Sequence, residues 1–324
     1  MVAATQRAMT AREWGLLALL SLLWGGSYFF VAVAVTDLPP LTLATLRVGL
    51  GATVLWACAP LLGVSPPRSR AALAALTLLG LMNNALPFAL ISWSQTRLPG
   101  GLASIIVAAT PLFTVLAAHV LTAEEKLSGL KLFGSLFGIA GVASLLGPNL
   151  MSGGGADLPA EFAVLAAALS YALSAIFARR VPSLGLKPVD VAAGQTAAAT
   201  VILAPLALAI DRPWSLPMPS GAAIASVLAI AALSTALAYV VYFRILAGAG
   251  ATNVLLVTLL TPATSIVLGG LFLHERLMAR QFLGFALIAA GLAFIDGRLP
   301  RALVGIWKCG RAPDSRLPIR PKPR

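Results

Sequence analysis

Much of the stretch from Pro99 to Leu146 occurs twice in this chain. Ala108-Ala109-Thr110-Pro111-Leu112-Phe113-Thr114-Val115 aligns with Leu259-Leu260-Thr261-Pro262-Ala263-Thr264-Ser265-Ile266, with the Thr-Pro pairs 151 positions apart. Further on, Glu125-Lys126-Leu127 with Gly134 and Gly141 aligns with Glu275-Arg276-Leu277 with Gly284 and Gly291, now 150 positions apart. The chain therefore reads as two copies of one unit.

Composition decides what the unit is. Hydrophobic residues make up 59% of the chain and charged residues only 10%, against about 25% charged in soluble domains. The unit belongs in a bilayer. A spanning helix needs about 20 mainly apolar residues, and ten segments meet that need: 14–35, 41–62, 71–92, 101–122, 127–147, 160–181, 189–210, 222–243, 252–273 and 280–298. Turn-forming clusters separate them, such as Asp37-Leu38-Pro39-Pro40 and Ser65-Pro66-Pro67. The first run follows Arg12 and imitates a signal peptide, but its length and its match to the sixth run favour an uncleaved helix.

The basic residues set an orientation. With the N-terminus cytoplasmic, ten basic residues before the tail lie inside and four, Arg97, Arg212, Arg276 and Arg280, lie outside. The basic tail is cytoplasmic too, where anionic lipid is its ordinary neighbour, so the net charge of +12 is no sign of nucleic-acid binding. The expected organisation is a cytoplasmic N-terminus at 1–13, a first five-helix repeat at 14–147, an external linker at 148–159, a second repeat at 160–298 and a basic cytoplasmic tail at 299–324. Because five is odd, the second copy enters the membrane from the opposite side. Inverted repeats of this kind place a substrate site near the midplane, between the halves.

Midplane positions hold the candidate residues. The first run carries Trp24-Gly25-Gly26-Ser27 at its centre, and its partner, the sixth, carries Tyr171 and Ser174. Asn83 and Asn84 in the third run correspond in depth to Ser234 and Thr235 in the eighth, while the fourth and ninth hold Thr110-Pro111 and Thr261-Pro262. Serine and threonine hydroxyls can instead bond backward to a helix carbonyl. Two adjacent asparagines need partners in hydrocarbon, from another helix or a wet cavity. Each proline frees a carbonyl one turn earlier, near Val107 and Thr258, which either kinks the helix or meets a solute. Trp24 and Tyr171 lie too deep for an interfacial belt and either stack on substrate or fill space. Tyr239 and Tyr242, nearer a helix end, are expected to snorkel.

Arg47 is the one charge within a span, and its positional twin is Gln195. It either binds a substrate anion or snorkels outward to cap carbonyls. All eleven carboxylates fall in loops, tails or near helix ends, so no midplane acid offers a proton relay. His119 reads as a packed histidine. Phosphate-loop and HExxH signatures are missing and the two cysteines stand apart, so neither enzyme, metal nor cofactor is expected. The small-residue faces Gly134-xxx-Gly138 and Ala286-xxx-Ala290-Gly291 suit close packing, either of one repeat on the other or in a homodimer.

Trp24-Gly25-Gly26-Ser27, Arg47 after the Pro39-Pro40 turn, and the doubled Thr-Pro helix with its Glu-x-Leu turn and Gly-rich helix resemble the EamA family of the drug/metabolite transporter superfamily. The resemblance covers residues 14–298. It implies an all-α membrane protein of ten helices in two inverted five-helix repeats, and a cavity lined by the first, third, fourth, sixth, eighth and ninth. It also implies movement of small metabolites, often outward, with several members exporting amino acids. Gln195 in place of a second Arg, and Tyr171 in place of a second Trp, predict an asymmetric cavity. The first helix has only Glu13, at its edge, so it lacks the buried Glu of the small multidrug proteins of that superfamily.

The expected function is transport of a small metabolite by alternating access in the plasma membrane of a bacterium, with both termini cytoplasmic. An exporter of amino acids or related neutral or zwitterionic solutes fits one Arg and paired Asn better than a carrier of phosphorylated sugars does. Efflux of aromatic drugs, transport of a flat vitamin or nucleoside, and a non-transporting membrane sensor or scaffold are the alternatives.

Overall fold

The computed structural model describes residues 9–122, 128–151, 157–249, 251–254 and 256–295. The Glu125 turn, the centre of the linker at 152–156 and the tail from 299 lie outside these residues. Among the described residues the protein is all-helical. Eight helices are long and apolar enough to cross a membrane: α1 (Ala11–Ala34), α2 (Pro40–Ala57), α3 (Arg70–Ser94), α4 (Gly100–Leu121), α5 (Gly129–Gly147), α6 (Leu158–Ala178), α7 (Pro188–Asp211) and α8 (Gly221–Leu246). Two shorter apolar helices follow, α9 (Val257–Phe272) and α10 (Ala279–Ile295).

Helix starts follow from local chemistry. Thr10 and Glu13 form a capping box at α1, and the Ser69 and Ser220 hydroxyls accept the first free N–H groups of α3 and α8. Proline opens α2 at Pro40 and α7 at Pro188, where its missing N–H costs nothing. Several boundaries differ from the sequence expectation. The second run ends as a helix at Ala57, and a separate turn, Ala59–Leu62, carries Pro60. The ninth is shortened: Ala251–Val254 forms its own turn and α9 begins at Val257. α4 is interrupted at Ala108 and Ala109 and resumes at Thr110, so Pro111 occupies a first-turn position needing no hydrogen bond. Pro262, by contrast, lies within α9.

The packing treats the two copies alike. α1 packs on α9 and α6 on α4; α3 packs on α6 and α8 on α1; α3 meets α7 and α8 meets α2. The pairs α2–α7, α4–α9 and α5–α10 join each helix to its own counterpart. Exchanging the copies leaves this set unchanged, as a two-fold relation requires. One irregularity repeats as well, since π-helical turns occupy Gly80–Ala85 in α3 and Ile230–Leu237 in α8.

Carboxylates fasten the α2–α7 pair at both ends. Asp190 in the first turn of α7 accepts from the Ser65 N–H beyond α2 at 2.7 Å. Asp211 at the far end of α7 accepts from the N–H and hydroxyl of Thr42 in the first turn of α2, at 2.7 and 2.8 Å. The glycine faces are used between the copies. A Cβ on Gly134 would lie 2.5 Å from the Gly291 carbonyl, and one on Gly291 2.5 Å from the Gly134 carbonyl. Gly141 meets the Gly284 carbonyl in the symmetric place. α5 and α10 thus form a close pair at the margin of the molecule, leaving the other eight helices around its centre.

Candidate functional site

A cavity of about 350 Å³ lies between the copies, within the usual range of small-molecule sites. Each wall comes from helical spacing. Trp24, Ser27, Tyr28 and Val31 of α1, at i, i+3, i+4 and i+7, present one face, and Tyr171, Ser174, Ala175 and Ala178 of α6 present the same face in the second copy. α3 supplies Leu79, Asn83, Phe88, Ile91 and adjoining Gln95, while α8 supplies Ser234, Thr235, Tyr239, Tyr242 and Phe243. Arg47 and Gln195 enter from the paired helices α2 and α7.

Among the described residues the cavity lining is exposed toward one end and buried at the other. Where α6 and α8 end and α7 begins, Ala175 is exposed and Ala178, Val191 and Phe243 are half-buried. At the opposite end Val31, Ile91, Gln95 and Ser104 are all buried. Glu275, between α9 and α10, seals that end against the start of α4. Its carboxylate accepts from the N–H groups of Gly100 at 2.9 Å and Gly101 at 3.1 Å, donors that a helix N-terminus leaves free.

Arg47 is buried and turned inward. Its guanidinium carbon sits 3.7 Å from the centre of the Phe88 ring, and Nε donates to Thr235 Oγ1 at 3.3 Å. The outward, carbonyl-capping posture is therefore overturned: ring stacking and a partner from the other copy hold it on the cavity. A guanidinium stays charged in such a place, and among the described residues no carboxylate lines the cavity. Those residues present one fixed positive charge without a counter-charge.

A chain of side-chain hydrogen bonds runs behind it. Asn83 Nδ2 donates to Gln195 Oε1 at 3.3 Å, Gln195 Nε2 donates to the Tyr239 hydroxyl at 2.9 Å, and that hydroxyl donates to Asn84 Oδ1 at 2.9 Å. This chain links three helices of both copies and fixes the orientation of each amide. Tyr239 thus points into the protein, and Tyr242 packs 5.7 Å from Trp24 between ring centres. Neither snorkels, because each ring finds polar or aromatic partners in the cavity wall.

Of the residues singled out from sequence, Trp24, Ser27, Arg47, Asn83, Thr110, Tyr171, Ser174, Gln195, Ser234, Thr235 and Thr261 line the cavity. Asn84, Pro111 and Pro262 do not. Asn84 is fully buried behind the wall, and the two prolines shape backbone. The carbonyl of Val107 is not left for a solute, since the Thr110 hydroxyl donates to it at 2.7 Å. Ser27 also bonds backward, to the Trp24 carbonyl at 2.6 Å. Sequence reasoning missed Tyr28, Phe88, Gln95 and Ser104; the i, i+3, i+4 spacing from Trp24 would have found Tyr28.

The model of the EamA-like transporter family matches twice, at residues 13–147 and 158–296. A protein of Escherichia coli (strain K12) named as a probable amino-acid metabolite efflux pump is 29% identical, over 87% of this chain and 94% of its own. A Bacillus subtilis (strain 168) protein, the uncharacterized transporter YoaV, is 24% identical over 84% of this chain and 92% of its own. A probable terminal-alkyne amino-acid exporter of Streptantibioticus cattleyicolor is 27% identical over 87% and 92%. A solved crystal structure superimposes with a TM-score of 0.62 at 21% identity, covering 91% of this chain and 99% of that one, a likeness of fold alone.

Proposed function

Because this chain belongs to the EamA-like transporter family and is a multi-pass membrane transporter, we propose that it exports amino acids or related neutral or zwitterionic solutes across a bacterial inner membrane. The observation that carries this reading is the lone, uncompensated Arg47 in a cavity otherwise lined by neutral polar and aromatic groups. One cation suits one carboxylate; a phosphate dianion asks for more. The names of two relatives, an amino-acid metabolite efflux pump and an amino-acid exporter, support it.

In this reading all ten helices span, the copies are inverted and both termini are cytoplasmic. The exchange symmetry of the packing and the inside bias of Lys and Arg support that arrangement. The open end then faces the cytoplasm, where an exporter loads, and alternating access rocks the halves about Arg47 and the amide chain. A homodimer would form through faces outside the α5–α10 contact, such as that of exposed Ala286. A second reading, efflux of an aromatic drug or transport of a flat vitamin or nucleoside, draws on Trp24, Tyr171, Tyr239 and Tyr242 around one cavity.

Purified protein in liposomes, loaded with labelled amino acids, nucleosides, vitamins and aromatic cations in turn, tests these readings with and without a pH gradient. Amino-acid flux that Arg47→Gln abolishes is the expected result. Flux confined to aromatic cations or nucleosides would favour the second reading, and none at all would leave a sensor or scaffold.

A further inference from the structure

Most polar groups on the cavity wall are engaged within the protein. Asn83, Gln195 and Tyr239 bond to one another, Ser27 and Ser174 bond backward to their own helices, and Ser234 Oγ is enclosed. Around Arg47 the situation differs. Among the described residues the Tyr28 hydroxyl, the Tyr171 hydroxyl and the terminal nitrogens of Arg47 make no hydrogen bond, yet none of these atoms is enclosed by protein. All three residues line the cavity.

These groups lie together. Tyr28 and Tyr171 pack in one apolar cluster with Ile91 and Ile105, and Tyr171 also packs in the cluster of Phe88, the ring on which Arg47 stacks. Both phenols are within electrostatic reach of the guanidinium and of each other. Tyr239 is near as well, but its hydroxyl is taken up by Gln195 and Asn84. Trp24 and Tyr242, whose polar atoms are also free, pack on each other in a different cluster.

The chemistry of the three groups specifies a ligand. Each offers hydrogen-bond donors. Thr235 accepts from Nε of Arg47, so the guanidinium presents its two terminal nitrogens, an edge that grips both oxygens of a carboxylate. A carboxylate has about four acceptor sites. Two go to that edge, leaving one for each phenol.

We propose that the hydroxyls of Tyr28 and Tyr171 complete, with Arg47, a carboxylate-binding subsite drawn from α1, α2 and α6, so that both copies hold the substrate by one group. This deepens the amino-acid transport reading above and rests on it. Tyr171 then acts through its hydroxyl rather than by stacking its ring on a flat solute.

The test is flux into liposomes carrying the full chain, with the twenty protein amino acids, uridine and phenethylamine as probes. For the amino acid carried best, Tyr28→Phe and Tyr171→Phe should each raise KM by about 10- to 100-fold, the worth of a hydrogen bond to a charged group. The maximal rate should stay within about twofold, the mark of a contact that contributes to binding alone. Neither variant should melt lower than wild type without ligand, because no internal hydrogen bond is removed. An unchanged KM in either variant overturns the subsite and leaves amino-acid transport standing. Absence of amino-acid flux in wild type overturns that reading and the subsite together, whatever uridine and phenethylamine do. Wild-type protein decides the matter even if the variants fail to fold. With its four tyrosines isotope-labelled in the ring, adding the amino acid should shift the phenol C–O stretch in the infrared, and an unshifted band overturns the subsite.

Discussion

Arg47 combines two costs that a soluble core would avoid, burial of a charge and lack of a carboxylate partner. Stacking on Phe88 and one bond to Thr235 offset part of the desolvation. Arg47→Gln should therefore melt no lower than wild type, yet lose flux of carboxylate-bearing solutes by at least about 30-fold, the lower end for removing one partner of a buried charged contact. A variant that melts lower and transports normally would make Arg47 a packing residue. Asp37 supplies a different residue-scale expectation, outside the membrane. Hydrogen bonds from Ser220, and then from the Thr36 hydroxyl, hold its carboxyl below the usual aspartate range. The folded value lies below the unfolded one, so this contact stabilises fully above the ordinary aspartate pKa of about 4 and is lost as pH falls through the folded value. The melting difference between wild type and Asp37→Ala should thus be largest near neutrality and shrink at acid pH. A difference unchanged between about pH 7 and pH 3 would show that the contact does not titrate.

Helices α5 and α10 approach so closely that each places a glycine against the other's backbone. Gly291→Ala puts a methyl 2.5 Å from the Gly134 carbonyl, a backbone atom that cannot swing aside. The helices must separate, at about 1–3 kcal/mol, read as a lower melting temperature. Adding Gly134→Ala should cost less than its own effect, because both methyls spread the same contact. Gly15→Ala is the control: nothing lies within 4 Å of that position, and helix propensity predicts a gain of about 0.5–1 kcal/mol. This contact was half legible in the sequence, where the Gly134-xxx-Gly138 and Ala286-xxx-Ala290-Gly291 faces announced close packing without choosing between the other repeat and a second copy of the chain. Apolar runs and the doubled Thr-Pro and Glu-x-Leu signals likewise disclosed the helices and copies, because both are local. What remained hidden depended on register. The π turns at Gly80–Ala85 and Ile230–Leu237 add a residue per turn, so faces beyond them advance relative to an α-helical count. Tyr239 and Tyr242 follow such a segment, and their nearness to a helix end suggested snorkelling because depth alone does not disclose the partners that turn them inward. Gln95, just past a helix end, reads as a loop residue until packing buries it.

Across the whole molecule, the Glu275 contact ties the loop after α9, from the second copy, to the first turn of α4, from the first. His274 adopts a left-handed backbone with φ of 54°, immediately before Glu275. Gly269 leaves the space the carboxylate occupies, as a Cβ there would strike Glu275 Oε2. The contact closes the end where Gln95 and Ser104 are buried, so the alternating access proposed above requires it to break each cycle. Glu275→Gln retains one carbonyl acceptor and sets an NH2 group against the other N–H. Hydrogen bonds to charged groups contribute about 1.5–3 kcal/mol, so losing the charge should raise the population opened at this end by about 10- to 100-fold. A cysteine at Ser104, with Cys58 and Cys309 replaced by serine, reports that opening through a membrane-impermeant maleimide added from outside. Labelling should be slow with Glu275 intact and at least about tenfold faster in Glu275→Gln. Equal rates would mean that helix packing alone closes this end and that the carboxylate merely caps α4. Faster labelling with reduced export would show that the clamp holds the loading state, since a carrier left open outside meets its cytoplasmic substrate less often.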